Sequence, residues 1–236
     1  MTENSRVGNL SCLEDVRARL IQCRACPRLV SWREQVAMEK RRAYSDQDYW
    51  SKPVPGIGDP NSRLLVVGLA PGAHGSNRTG RMFTGDASGD FLFPALHKAG
   101  FASSPRSAHI NDGLRLQDMF ITAVCHCAPP DNKPTAEEVR RCRYWLQADI
   151  DCLPNVEGIV LLGKIALDGV LALPMYAGMR RKDFPFGHGA FYAPPGLPWL
   201  LCSYHPSRQN TQTGKLTPEM FDAIWQKARQ LLGQGR

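Results

Sequence analysis

The sequence has no run approaching the ~20 consecutive apolar residues that a helix needs to cross a bilayer. Its first residues, Met1 to Asn9, mix acidic and basic side chains without the apolar stretch of a secretory leader. A soluble, cytoplasmic protein with no membrane partner is the expectation. Internal repeats, low-complexity tracts and a convincing linker are also missing, so residues 1–236 are expected to form one domain, with 43% hydrophobic residues to fill its core. Cysteine pairs at metal-site spacing are scarce: of eight cysteines, only Cys23 and Cys26 form a Cys-x-x-Cys pair. A chain this long does not depend on disulfides as small secreted scaffolds do, so reduced thiols are expected. Cys12, Cys152 and Cys202 read as small core hydrophobes.

What the chain does have is positive charge. A formal net charge of +7 and a pI near 9.1 favour a polyanionic partner. Many of the basic residues, among them Arg33, Arg41, Arg42, Arg78, Arg81, Arg180, Arg181 and Arg208, fall in segments that read as loops able to line a groove.

Four apolar runs, 63–69, 119–124, 158–162 and 199–204, are nearly continuous rather than alternating in hydrophobicity. That pattern suits a parallel sheet covered on both faces. Helical patterns lie between and around them at 11–22, 91–98, 135–150, 164–171 and 218–232, two of them opening with capping-box spacing, Ser11 with Glu14 and Thr135 with Glu138. The predicted fold class is α/β, a three-layer sandwich around a central four-stranded parallel sheet. Ligands in such sheets bind at the carboxyl ends of the strands. Two loops there are rich in Gly, Pro, Asn, Ser and Thr, one after the first strand (70–81) and one after the fourth (205–214).

The first loop is not a nucleotide-triphosphate loop, because Gly75 and Gly80 are followed by Arg81 and Met82 where Lys and Ser or Thr are required. The second begins His205-Pro206-Ser207. An imidazole at a strand's carboxyl end can donate a hydrogen bond to an oxygen that becomes negative as a bond breaks. Cys127 and Cys142, a hundred residues from the first pair, could join Cys23 and Cys26 around zinc or an iron–sulfur cluster, and the unpaired spacing leans toward the cluster. Cys125, two residues from Cys127, is an ambiguous alternative.

Taken together, the segments 68–81, Met82-Phe83-Thr84-Gly85-Asp86, Cys127-Ala128-Pro129-Pro130 and 205–211 resemble the family 5 (type B) uracil-DNA glycosylases, in the family's order and over nearly the whole chain. The resemblance implies the fold of that superfamily and a [4Fe–4S] cluster on Cys23, Cys26, Cys127 and Cys142. It also implies monofunctional hydrolytic excision of uracil, and of other deaminated bases such as hypoxanthine, from DNA to leave an abasic site. Leu69 and Ala123 stand where the related family 4 has an acidic residue and a uracil-reading Asn, which implies a less polar pocket with wider tolerance. Ala73 stands where other superfamily members carry a water-activating residue, so the general base is open.

On this reading Phe83 stacks on the flipped base and the backbone of Ala70, Pro71, Gly72, Ala73 and His74 faces its carbonyls. His205 stabilises the departing anion, while Asp86, Asn77 and His74 are candidates to orient water, Asp86 equally able to be a helix cap. Ser207, Arg208, Gln209 and Asn210 enter the groove of double-stranded DNA, and Arg78, Arg81, Asn132 and Lys133 meet its backbone. A monomer is expected. The competing readings are a non-catalytic iron–sulfur or zinc nucleic-acid-binding module and a nucleotide-dependent enzyme.

Overall fold

The computed structural model of the chain describes residues 3–233. Their elements, in chain order, are α1 (Glu3–Leu20), α2 (Pro27–Glu39), β1 (Ile57–Gly58), β2 (Leu64–Gly68), α3 (Ser76–Thr79), α4 (Ala87–Lys98), β3 (Met119–Ala123), α5 (Ala136–Asp151), β4 (Gly158–Leu162), α6 (Lys164–Val170), β5 (Phe191–Tyr192), β6 (Trp199–Ser203), α7 (Arg208–Gln212) and α8 (Pro218–Gly233). The sheet order is β1-β3-β2-β4-β6-β5. The four predicted strands form its parallel centre, with Leu65 between Phe120 and Ile159 and Leu161 beside Cys202. Two antiparallel two-residue strands were not predicted: β1 lies beside β3, and β5 beside β6. Two residues are too few to show a period in sequence.

Alternation along each strand divides the core between the two faces. Leu64, Val66, Ile121, Val160 and Leu201 pack on one side with Leu92, Phe93 and Leu96 of α4 and Phe221, Ile224 and Trp225 of α8. Leu65, Val67, Phe120, Ile159 and Leu161 pack on the other with Leu146 of α5 and Ala166, Leu167 and Val170 of α6. The result is the predicted three-layer α/β arrangement. No helix among the described residues is long and apolar enough to cross a membrane.

Three expectations need correction. The Thr135 capping box is present, with the Thr135 hydroxyl accepting the Glu138 N–H at 3.2 Å and the Glu138 carboxylate accepting the Thr135 N–H at 2.7 Å. Ser11 opens nothing, because α1 begins eight residues earlier and Ser11 lies in its interior. Helix α2 was not foreseen, and it turns Arg33 from a loop residue into a buried one at 2% exposure. Cys12 and Cys152 are not separate core thiols but a disulfide, Cα atoms 5.6 Å apart, joining α1 to the end of α5. Spacing could not reveal it, because the two cysteines are 140 residues apart and only the packing of those helices brings them together.

Candidate active site

The carboxyl ends of β2, β3 and β6 open into a cleft of about 720 Å³. Its floor includes Gly68 and Ala123, its first wall the loop after β2, and its second His205, Ser207 and Arg208 after β6.

The first wall is extensively hydrogen-bonded. Gly75 and Asn77 donate backbone N–H groups to the Gly72 carbonyl at 3.3 and 3.0 Å. Arg78 ties the wall together, donating from Nε to the His74 carbonyl (2.8 Å), from Nη2 to the Gly85 carbonyl (3.0 Å) and from Nη1 to Gln47, with its guanidinium 4.0 Å over the Tyr44 ring. The His74 ring shares a 2.9 Å hydrogen bond with the Tyr49 hydroxyl, and burial, then Arg41 and Arg78, depress its pKa.

Phe83 holds a left-handed backbone, φ 52°, a conformation rarely adopted by a bulky residue and one that tends to mark functional sites. Its ring lies across Gly68, where a Cβ would sit 2.9 Å from Cζ, so the end of β2 has to be glycine for the ring to reach the cleft. Facing it is His205, ring centroids 6.0 Å apart and planes at 30°. Burial lowers the His205 pKa to about 4, which keeps the imidazole neutral and able to donate at neutral pH.

Asp86 caps α4, one carboxylate oxygen accepting the N–H groups of Ser88 (3.0 Å) and Gly89 (3.2 Å). The other oxygen presses on the first wall, where a Cβ at Gly75 would lie 2.0 Å away. Burial raises the Asp86 pKa, although the two N–H groups pull it back. The predicted cap is therefore also a residue that lines the cleft.

The four predicted cysteine ligands lie close enough to influence one another electrostatically. Burial, then Cys142 and Cys23, push the Cys127 thiol up to about 12 against the lowering influence of Arg33. Burial, then Cys142, raise Cys26, and Cys142 is raised first by its hydrogen bond with Cys125 and then by burial. Arg33 donates to Cys127 Sγ at 2.9 Å and to the Cys23 carbonyl at 3.3 Å, and its Nε has no hydrogen-bond partner. The segment between Cys125 and Cys127 is anchored by the His126 ring on the Val54 carbonyl at 2.7 Å. Among the described residues, no three His, Cys, Asp or Glu groups are arranged to hold a single metal ion.

The model of the uracil DNA glycosylase superfamily matches residues 55–229 of the chain. The chain is 55% identical to a type-5 uracil-DNA glycosylase of Thermus thermophilus over 91% of its own length and 95% of that protein's. The chain belongs to the type-5 uracil-DNA glycosylases. A second enzyme of that type, from Mycobacterium leprae, is 50% identical over 96% of this chain and 98% of its own, and one from Pyrobaculum aerophilum is 42% identical over 91% of each.

In this type-5 member the predicted site residues divide. His205, Phe83, Asp86, Ala70, Gly72, Ala73, His74, Ser207, Arg208 and Asn132 meet around one cleft. Gln209 and Lys133 are exposed beside it. Five predictions are corrected. Asn77 is fully buried beneath the first wall, donating to the Arg33 and Ala73 carbonyls, so it cannot orient water in the cleft. Arg81 is 5% exposed and engaged with Asp112, Ser107 and Thr84, which keeps it from DNA phosphates. Arg78 is a brace of the wall rather than a free phosphate contact, and Asn210 turns its amide inward to the His205 carbonyl at 2.9 Å. Pro71 is buried and, lacking an N–H, offers no donor to a base. The cleft also uses Trp32, Arg41, Tyr44 and Asp131, which had no assigned role. Only Arg41 carried a signal, its membership of the Lys40-Arg41-Arg42 run.

Proposed function

We propose that this chain excises uracil from DNA by hydrolysing the N-glycosidic bond, leaving an abasic site, and that it also removes other deaminated bases such as hypoxanthine. The observation that carries this reading is the pairing of a neutral, desolvated His205 with Phe83 across the cleft, which Asp86 also lines. The relatives' shared activity supports it.

The target nucleotide is flipped out of the duplex at a cost of a few kcal/mol, smallest for a mismatch. Its base slides against Phe83 and over the Gly72–His74 backbone. As the bond between C1′ and the base nitrogen stretches, its electron pair moves onto the base, and the neutral His205 donates a hydrogen bond to the oxygen that gains this charge. The sugar becomes oxocarbenium-like, and Asp86 balances that cation, aligns the water that adds to C1′ and takes the proton that this water loses, which passes to the departed base anion. Few polar groups contact the base edge, because Leu69 and Ala123 offer none, and this supports tolerance of hypoxanthine. Arg41, Arg208 and Lys133 around the mouth supply a salt-sensitive attraction for the DNA backbone.

Cys23, Cys26, Cys127 and Cys142 are proposed to hold a [4Fe–4S] cluster in a structural role. Their donor set is soft, and a buried Arg33 without a carboxylate partner is matched better by thiolates than by neutral thiols. The cluster, when bound, supplies a cross-link between α2, the Cys127 loop and α5. Iron and sulfide analysis of anaerobically purified protein tests it, and stoichiometric zinc in place of iron overturns it.

The test of the activity is single-turnover incubation with a labelled duplex containing one U·G pair. Strand cleavage at the uracil only after alkali is the expected result. Intact DNA from correctly folded protein, for both uracil and hypoxanthine duplexes, overturns excision and favours a binding module.

A further inference from the structure

Beside the cleft runs a second groove of about 530 Å³ that shares Tyr44, Gly85 and Asp90 with it, so the two adjoin. Its outer wall is the segment from Pro105 to Ala108. That segment belongs to an arm leaving the core at Phe101 and returning at Gln117, whose two limbs are joined by the Ala102–Leu116 bridge, by Ser103 N–H on the Arg115 carbonyl (2.9 Å) and by Gln117 N–H on the Phe101 carbonyl (2.9 Å).

The arm is pinned where it meets the catalytic wall. Arg81 donates to both oxygens of Asp112 and to the Ser107 hydroxyl (2.7 Å), and the Ser107 and Thr84 hydroxyls are 2.6 Å apart. Asp112 also accepts the N–H groups of Ala108 (2.8 Å) and Leu114 (3.0 Å). Burial acts to raise the Asp112 pKa, but these donors outweigh it and hold the carboxyl well below the usual carboxylate range. An ion pair with both side chains mostly buried, adjoining Phe83 through Thr84, fixes the arm relative to the base pocket. A surface loop with no function would not need that register.

On the arm's outer side Arg106 is exposed, and its guanidinium has no hydrogen-bond or ion-pair partner among the described residues, although it lines the groove. Opposite are the Tyr44 ring and Pro94, flat surfaces suited to a sugar or base edge. Asp90 is the groove's one lining carboxylate among the described residues, and it repels a phosphate toward the Arg106 wall.

We propose that this groove receives the DNA strand on one side of the flipped nucleotide, with Arg106 holding a backbone phosphate there and Arg81, through Asp112, acting as the positioning residue that sets its distance from the pocket. This rests on the reading of the cleft as a DNA site, and it adds a directional subsite to it.

The test compares wild type, Arg106→Ala and Arg106→Lys by fluorescence anisotropy on uracil-containing duplexes at several salt concentrations, with flanks shortened from one side or the other, alongside single-turnover excision. Arg106→Ala should weaken binding roughly five- to tenfold and reduce the salt slope by about one, as for loss of one phosphate contact. Arg106→Lys should retain most of the affinity, the excision rate at saturating enzyme should be unchanged, and the Ala defect should disappear when one particular flank is cut away. Unchanged affinity and slope overturn the proposal. So does a defect that survives removal of either flank, or a defect in the saturated rate alone. Wild-type protein that binds these duplexes without releasing the base overturns excision, while the binding titrations still decide the role of Arg106.

Discussion

The two loops that face each other across the cleft are held differently. The loop after β2 is fastened at several points: Arg78 bonds two of its carbonyls, Asn77 is buried under it, and Asp86 presses against Gly75. The loop after β6 is held mainly at its base, where Asn210 bonds the His205 carbonyl and Ser207 caps the short α7, while Arg208 and Gln209 stay exposed. One wall is a preformed mould for a flat ring. The other presents a chemical group at its root and free side chains at its rim. A site that must hold a base and cleave one bond gains from this division, because shape is held rigidly while the surface that meets the partner stays adaptable.

That contrast can be broken at graded points. Removing the imidazole has the largest expected effect: His205→Ala should lower the single-turnover rate by about 10²–10³-fold with affinity for DNA kept, in line with loss of a preorganised donor to a developing anion. An unchanged rate removes His205 from the chemistry. Next, Asp86→Asn keeps a good helix cap but removes the charge, so the rate should fall roughly 10- to 100-fold with thermal stability nearly unchanged. A loss of stability without a loss of rate reduces Asp86 to its cap.

The pH profile sharpens the same pair. The folded pKa of His205 lies below that of a free imidazole, so the neutral, donating form persists as pH falls through 6.5 and is lost only near 4. Burial raises the Asp86 pKa, so its carboxylate takes up a proton at a higher pH than a solvated aspartate. A fall in rate on the acid side, lying above the ordinary aspartate range, should therefore be present in wild type and absent in Asp86→Asn. A fall centred near 6.5 that persists in the variant would show an ordinary, solvated histidine.

Asn210→Ala, which frees the root of the second loop, should cost about tenfold in rate, since a small misplacement of a catalytic group is enough for that. Arg208→Ala should have the smallest effect, a few-fold loss of affinity that vanishes at high salt, with the saturated rate intact. Outside the comparison, Asp112→Ala should destabilise the fold by about 3 kcal/mol by leaving Arg81 buried without its partner, measured by urea unfolding. Because the Asp112 carboxyl is held low in the folded state, its stabilisation is present at neutral pH and lost as pH drops below the ordinary carboxylate pKa.

Much of this architecture is legible in the sequence where short-range pattern is strong. Four continuous apolar runs are strands because each is buried on both faces, and Thr135 with Glu138 marks a helix start because the capping bonds close within three residues. The two loops and His205 are found from composition and position after a strand, whereas Phe83 and Asp86 come from the resemblance to the glycosylase family. Helix α2 escapes notice because its polar character hides Leu29, Val30 and Val36, whose partners lie elsewhere in the chain.

The roles of individual side chains within those loops are a different matter. Arg78, Arg81 and Arg106 look alike in sequence, yet one stitches a wall, one is buried with Asp112 and one has a guanidinium without a partner among the described residues. Cys12 and Cys152 look like any core cysteines until α1 and α5 pack. The sequence alone determined the four central parallel strands, most of the helices that cover them and the edge at which the cleft opens, because backbone hydrogen bonding and hydrophobic period act over a few residues. Only the tertiary structure decided which charges are free to meet a partner, because pairing and desolvation depend on groups far away along the chain, as with Arg63 and the Leu232 carbonyl, 169 residues apart.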